Sequence, residues 1–108
     1  MEDYLQQDEA LGRIANMIAG LSSAEDIKRL LQELLTDAEL YDIVLRWRLL
    51  ELLTQKCPQR KIAELLRVSL CKITRGSRIL KNPSSVCATL LFSQQAVGFT
   101  PIRQDNKT

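Results

Sequence analysis

Between Arg46 and Lys81 lie ten of this chain's fifteen cations, and only Glu51 and Glu64 oppose them. Cations gathered this way suit a polyanionic partner, because their fields add over a shared surface. Residues 1–44 are the reverse, with three bases against ten acids. An acidic scaffold carrying a basic working surface is expected. Catalytic chemistry is poorly served. There is no histidine, the commonest general base and metal ligand. No glycine-rich phosphate loop occurs, no nucleophile stands beside a plausible base, and the paired acids Glu25 and Asp26 fall where a helix start explains them. Cys57, Cys71 and Cys87 are widely spaced, with no CxxC pair. They are expected to be reduced, mostly buried thiols rather than a disulfide or zinc site. An enzyme, a metal site and a cofactor are therefore not expected.

The elements that must position the cations centre on Cys57 to Lys81, CPQRKIAELLRVSLCKITRGSRILK. This stretch reads as two short helices joined by a tight turn, the second basic and free of acids. That is the pattern of a helix-turn-helix over about 58–80, in which one helix braces and the next enters a DNA major groove. Pro58 suits the first position of the bracing helix, which runs to about Leu66. Arg67 to Ser69 form the turn, and the second helix covers about Leu70 to Leu80. Ala63 is the small residue needed where the helices cross. Val68 follows the turn, Ile73 plugs the core, and Ile62, Leu65 and Leu66 complete the brace. Glycine is common in such a turn; Arg67 in its place would cost about 1 kcal/mol if left-handed. Gln59 and Arg60 open the first helix, near a phosphate or a base edge. Lys72, early in the second, is a candidate base contact. Thr74, Ser77, Arg78 and Lys81 are short or cationic groups suited to phosphates. A helical hairpin without a DNA role is the alternative.

Upstream, Leu11, Ile14, Ala15 and Ile18 recur at helical spacing with Tyr4 and Leu5, so residues 4–19 read as an amphipathic helix stopped by Gly20. Ser22 and Ser23 start a second helix whose apolar face is Ile27, Leu30, Leu31 and Leu34. Thr36 offers the next N-cap, for a longer helix that ends near Thr54. After Asn82-Pro83, Ser84 and Ser85 cap a weaker sixth helix through about Gln95. The fold expected is all-α, a six-helix subunit forming one DNA-binding domain over 1–97, with a disordered tail over 98–108. So much apolar helix surface in 108 residues suggests burial against a second copy, and a dimer would present two reading helices to DNA. No apolar run is long enough to cross a bilayer, and MEDYLQQDEA lacks the basic start of a secretory leader, so a cytoplasmic location is expected.

QRKIAELLRVSLCKITRGSRILK resembles the bacterial Trp repressor family, and ITRGS (Ile73 to Ser77) is that family's most distinctive string. LLTDAELYDIVLRWRLLELL (Leu34 to Leu53) is similar to the family's preceding segment. The likeness covers roughly residues 10–82, with a one-residue deletion between Glu51 and Cys57. It implies an intertwined homodimer with L-tryptophan as corepressor; the Trp repressor is itself one of the proteins that exemplify helix-turn-helix docking and water-mediated base contact. In the family the indole lies between two arginines, matched here by Arg46 and Arg75, one of which also pairs with the ligand carboxylate. Gly76 matches a position that admits the ring closely. Leu35 and Thr36 match the segment that meets the ligand's amino group from the partner subunit. A guanidinium can stack on an aromatic face and hold a carboxylate bidentately, which suits these roles. One position departs: the serine that family members often carry near the ligand amine is here Ile79, which cannot hydrogen-bond an ammonium. The resemblance thus implies a DNA-binding repressor of tryptophan biosynthesis or transport genes, its ligand L-tryptophan or a deaminated or substituted indole. A related regulator with no ligand, and a dimerisation module without DNA binding, are the alternatives.

Overall fold

The computed structural model describes residues 2–96, with side chains from residue 6 to residue 93. Six helices and no strand occur among them: α1 Glu2–Ala19, α2 Ala24–Leu34, α3 Asp37–Thr54, α4 Gln59–Leu66, α5 Leu70–Lys81 and α6 Val86–Ala96. This is the all-helical, six-helix order expected from the sequence. The tail expected over 98–108 lies outside the described residues.

Hydroxyl caps set most of the helix starts, by satisfying amides that have no carbonyl one turn back. Ser23 Oγ accepts from the Asp26 amide at 3.2 Å, Ser69 Oγ from the Lys72 amide at 3.3 Å, and Ser85 Oγ from the Ala88 amide at 3.0 Å. Thr36 makes a reciprocal pair: its Oγ1 accepts from the Glu39 amide at 3.2 Å, and its own amide donates to Glu39 Oε1 at 2.8 Å. This is a capping box. Pro58 corrects the sequence reading, since it is the N-cap of α4, in extended backbone (φ −59°, ψ 142°), and not its first helical residue. Gly20 ends α1 through amide bonds to Asn16 and Met17 carbonyls, both 3.2 Å, without the left-handed backbone that would have required glycine.

The contact pattern divides the chain into two compact units, Met1–Leu40 and Tyr41–Thr108. In the first, no described side chain is buried. Leu11, Met17 and Leu34 are 62%, 73% and 55% exposed.

The second unit holds the core. Leu49, Leu50 and Leu52 of α3 pack with Cys57, Ile62, Ile73 and Leu91; Trp47, Ala63, Leu65, Leu66 and Val68 pack against this cluster. α5 packs on α4 and on α6, and Ala88 and Leu91 of α6 are buried. The end of α3 is closed by two bonds, from the Cys57 amide to the Leu52 carbonyl and from the Lys56 amide to the Leu53 carbonyl, both 3.0 Å. Lys56 adopts φ 62° to make them. This is a Schellman closure on a non-glycine residue, and Leu52 and Cys57, which flank it, are both in the core.

Candidate ligand pocket and nucleic-acid interface

Within the unit Tyr41–Thr108, α3 and α5 frame an open cavity of about 250 Å³, lined by Asp42, Leu45, Arg46, Leu49, Leu50, Val68, Lys72, Arg75, Gly76 and Ile79. That is just under the roughly 300–1,000 Å³ of drug-sized sites, a size that suits one amino acid or aromatic acid. Its floor is leucine-rich and its rim is charged. Arg46 and Arg75, distant in sequence, meet at this one cavity, with Gly76 and Ile79 beside them.

Gly76 has a packing role as well as a place in the cavity. It is buried, and a Cβ there would overlap Leu49 Cδ2 and lie 3.2 Å from Leu53 Cδ1 and 3.4 Å from Leu50 Cδ2. The glycine therefore lets α5 close on α3, and the same strip of leucines and glycine continues into the cavity floor. Trp47, next to Arg46, packs against the core and is absent from the cavity lining.

Leu35 and Thr36 belong to the unit Met1–Leu40, and neither lines this cavity. The Thr36 hydroxyl already accepts the Glu39 amide. Asp42, Leu45 and Val68 are pocket residues that sequence reasoning did not single out as such. For Asp42 the signal was available: it precedes Arg46 by four residues, one helical turn on the same face.

The candidate DNA-contacting side chains lie on the bracing and reading helices. Gln59 and Arg60 occupy the first turn of α4 and are exposed. Lys72, Thr74, Arg78 and Lys81 on α5 are exposed, and Ser77 is half-buried. Between the helices Arg67 is left-handed, φ 56° and ψ 48°, as the turn demands. Ile62 and Ile73 are completely buried, and Ala63 and Val68 pack against them; these positions play the bracing roles assigned to them. Lys72 is shared, since it is both an exposed residue of α5 and part of the cavity rim. Among the described residues, the side chains of Arg46, Lys72, Arg75, Arg78 and Lys81 engage no ion pair.

The cysteines depart from expectation. Cys57 alone is buried, Cys87 is half-buried and Cys71, on α5, is exposed. Burial pushes the Cys57 thiol up from its ordinary value, partly offset by the charge of Lys61. Glu51 is also raised, by desolvation, against the lowering effects of a hydrogen bond from Trp47 and the charge of Arg48. Neither group faces the cavity. Among the described residues no cluster of acids and cysteines could hold a metal, and no helix is long and apolar enough to cross a membrane.

The family profile described as "Trp repressor protein" matches residues 9–95 of this chain, which include α4, α5 and every cavity residue. Proteins named "Trp operon repressor homolog" from Xylella fastidiosa strains M23, Temecula1 and 9a5c are 33% identical to it over 79 residues, spanning 72% of this chain and 86% of each relative. No solved structure matches significantly.

Proposed function

The chain belongs to the Trp repressor family, a non-enzymatic family of regulators, and from that premise we propose that it is a DNA-binding transcriptional repressor switched on by L-tryptophan. One observation supports the reading: a single helix, α5, both lines the cavity and carries exposed polar and cationic side chains. Arg75, Gly76 and Ile79 of α5 line the cavity, while Thr74, Arg78 and Lys81 of the same helix are exposed. A ligand wedged between α3 and α5 bears directly on the tilt of the helix that would enter the groove.

The roles follow from chemistry. Arg46 and Arg75 sandwich the indole, and one of them also takes the carboxylate. Gly76 and the leucines of α3 accept the ring. Leu35 and Thr36 of a second copy approach the ligand's amino group. Lys72 contacts a base edge, Gln59 and Arg60 a phosphate or a base edge, and Thr74, Ser77, Arg78 and Lys81 phosphates. The assembly is an intertwined homodimer, which covers the apolar faces of α1 and α2 and sets two α5 helices in successive major grooves, roughly 34 Å apart. The functional domain is residues 1–97, the location cytoplasmic, and the targets tryptophan biosynthesis or transport genes. The ligand can favour the DNA-competent state only by as much as it binds that state better.

The test is calorimetric titration with L-tryptophan, followed by binding to a duplex from a tryptophan-operon promoter with and without it. Tighter DNA binding with tryptophan, falling steeply as salt rises, is expected. Equal affinity in both conditions would remove the corepressor role and leave the repressor; no binding at low salt would remove the DNA role too. A second reading has one observation behind it. Ile79 lines the cavity and offers no hydrogen bond, which favours a deaminated indole over the amino acid.

A further inference from the structure

Four charged side chains rim the cavity: three cations (Arg46, Lys72, Arg75) and one anion (Asp42). Asp42 stands one turn before Arg46 on α3, the spacing at which an acid and a base commonly pair along a helix. Yet among the described residues neither is held in an ion pair or a side-chain hydrogen bond. Both signs of charge therefore stand unneutralised around one apolar floor of leucines, Val68, Gly76 and Ile79. That arrangement is the electrostatic complement of a zwitterion with an apolar side chain. An aryl carboxylate would satisfy the cations and be repelled by Asp42. An arylalkylammonium would satisfy Asp42 and be repelled by the cations. A free amino acid satisfies both.

Resting on the reading that this cavity is the ligand site, we propose that Asp42 is the ammonium-recognising residue of this chain, replacing the hydroxyl absent at Ile79 and making the pocket selective for an aromatic α-amino acid over its deaminated analogue. Ile79 then has a different task. It adds apolar surface against the ring, while amine recognition moves across the cavity from α5 to α3. A charge-assisted bond from an ammonium to a carboxylate is stronger than one to a hydroxyl, so the exchange preserves selectivity.

The experiment compares L-tryptophan with indole-3-propionate, which keeps the ring and carboxylate but has no amine, by calorimetry on the full chain. Wild type is expected to bind L-tryptophan at least about tenfold more tightly. Asp42 is exposed, so D42N leaves the fold intact, which circular dichroism checks. D42N should weaken L-tryptophan by about tenfold and leave indole-3-propionate unchanged or tighter. The double variant D42N/I79S, which returns a hydroxyl to α5, should regain several-fold of the lost preference. If D42N leaves L-tryptophan unaffected, weakens both ligands equally, or if wild type already prefers indole-3-propionate, the role of Asp42 is overturned while the cavity stands as the ligand site. If neither compound binds wild type, the ligand reading falls and the proposal with it.

Discussion

Ile27, Leu30 and Leu31, on the apolar face of α2, are only half-buried and Leu34 is 55% exposed, whereas Ile62, Ile73 and Leu91 of the unit Tyr41–Thr108 are all 0% exposed. The first unit is as strongly patterned as the second. Its helices have apolar stripes, and α2 has a serine cap at Ser23 and acids in its first turn. What it lacks is anything of its own to bury those stripes against. Amphipathicity makes a helix competent to pack, but only an opposing surface converts it into stability. The second unit closes a core from α3, α4, α5 and α6 by itself, so it can fix a pocket and a reading helix. The first leaves its described apolar side chains half-buried or exposed, and a second copy of the chain is the occupant proposed for them.

The sharpest way to break this contrast is to attack each unit where it is strongest. Ile73→Ala removes a completely buried side chain from α5. Deleting such methyl and methylene groups costs about 2–5 kcal/mol, so urea unfolding should show a loss in that range and α5 should lose its seat. A cost under about 1 kcal/mol would mean that the core is looser than its burial indicates. In the first unit, Leu34→Asp places a charge on the open apolar face. If a second copy covers that face, sedimentation should show the dimer dissociation constant rising at least about 100-fold, near 2.8 kcal/mol. If the face is simply wet, dimerisation will not move and the contrast between the units loses its meaning.

Legibility in the sequence followed the range of the forces involved. Local signals read well. Ser23, Thr36 and Ser85 announced helix starts because a cap needs only a hydroxyl and an amide within one turn. Ala63, Val68 and Ile73 were placed correctly because the helix-turn-helix imposes packing at fixed spacing. Residues that depend on what the chain folds against were less legible. Cys71 looked like a core thiol and is exposed. Lys56 gave no sign that it would adopt a left-handed conformation, since that choice follows from docking Cys57 against Leu52. Asp42 looked like one more acid in an acidic region; its place one turn before Arg46 on the same face was legible, but the approach of α5, which adds Arg75 and Ile79 to the same cavity, was not. Gly76 was read as room for a ligand ring, and the structure adds that it first makes room for Leu49.

Thr36→Ala should have a smaller effect and sharpen the contrast differently. The capping box closes the start of α3 through local bonds alone, so its loss should cost about 1 kcal/mol, within the range for capping substitutions. Thr36→Ser keeps the hydroxyl and should recover most of it. Because Thr36 is also a proposed ligand contact, the two variants separate its roles. A fall in tryptophan affinity in Thr36→Ser, where the cap survives, would show that the methyl group matters to the ligand.

The smallest expected effect is a gain. Arg67 sits at φ 56° in the turn between α4 and α5, a conformation in which its Cβ crowds the backbone at a cost of about 1 kcal/mol. Glycine has no such penalty, though it loses more freedom on folding, so Arg67→Gly should raise stability by a net of about 0.5 kcal/mol. It also removes one cation from the edge of the basic face. If the arginine was kept for charge, the variant will be slightly more stable in urea yet bind DNA more weakly, with a shallower dependence on salt. If it was kept for packing, stability will fall instead, and the second unit's self-sufficiency will extend to a residue that its exposure marks as dispensable.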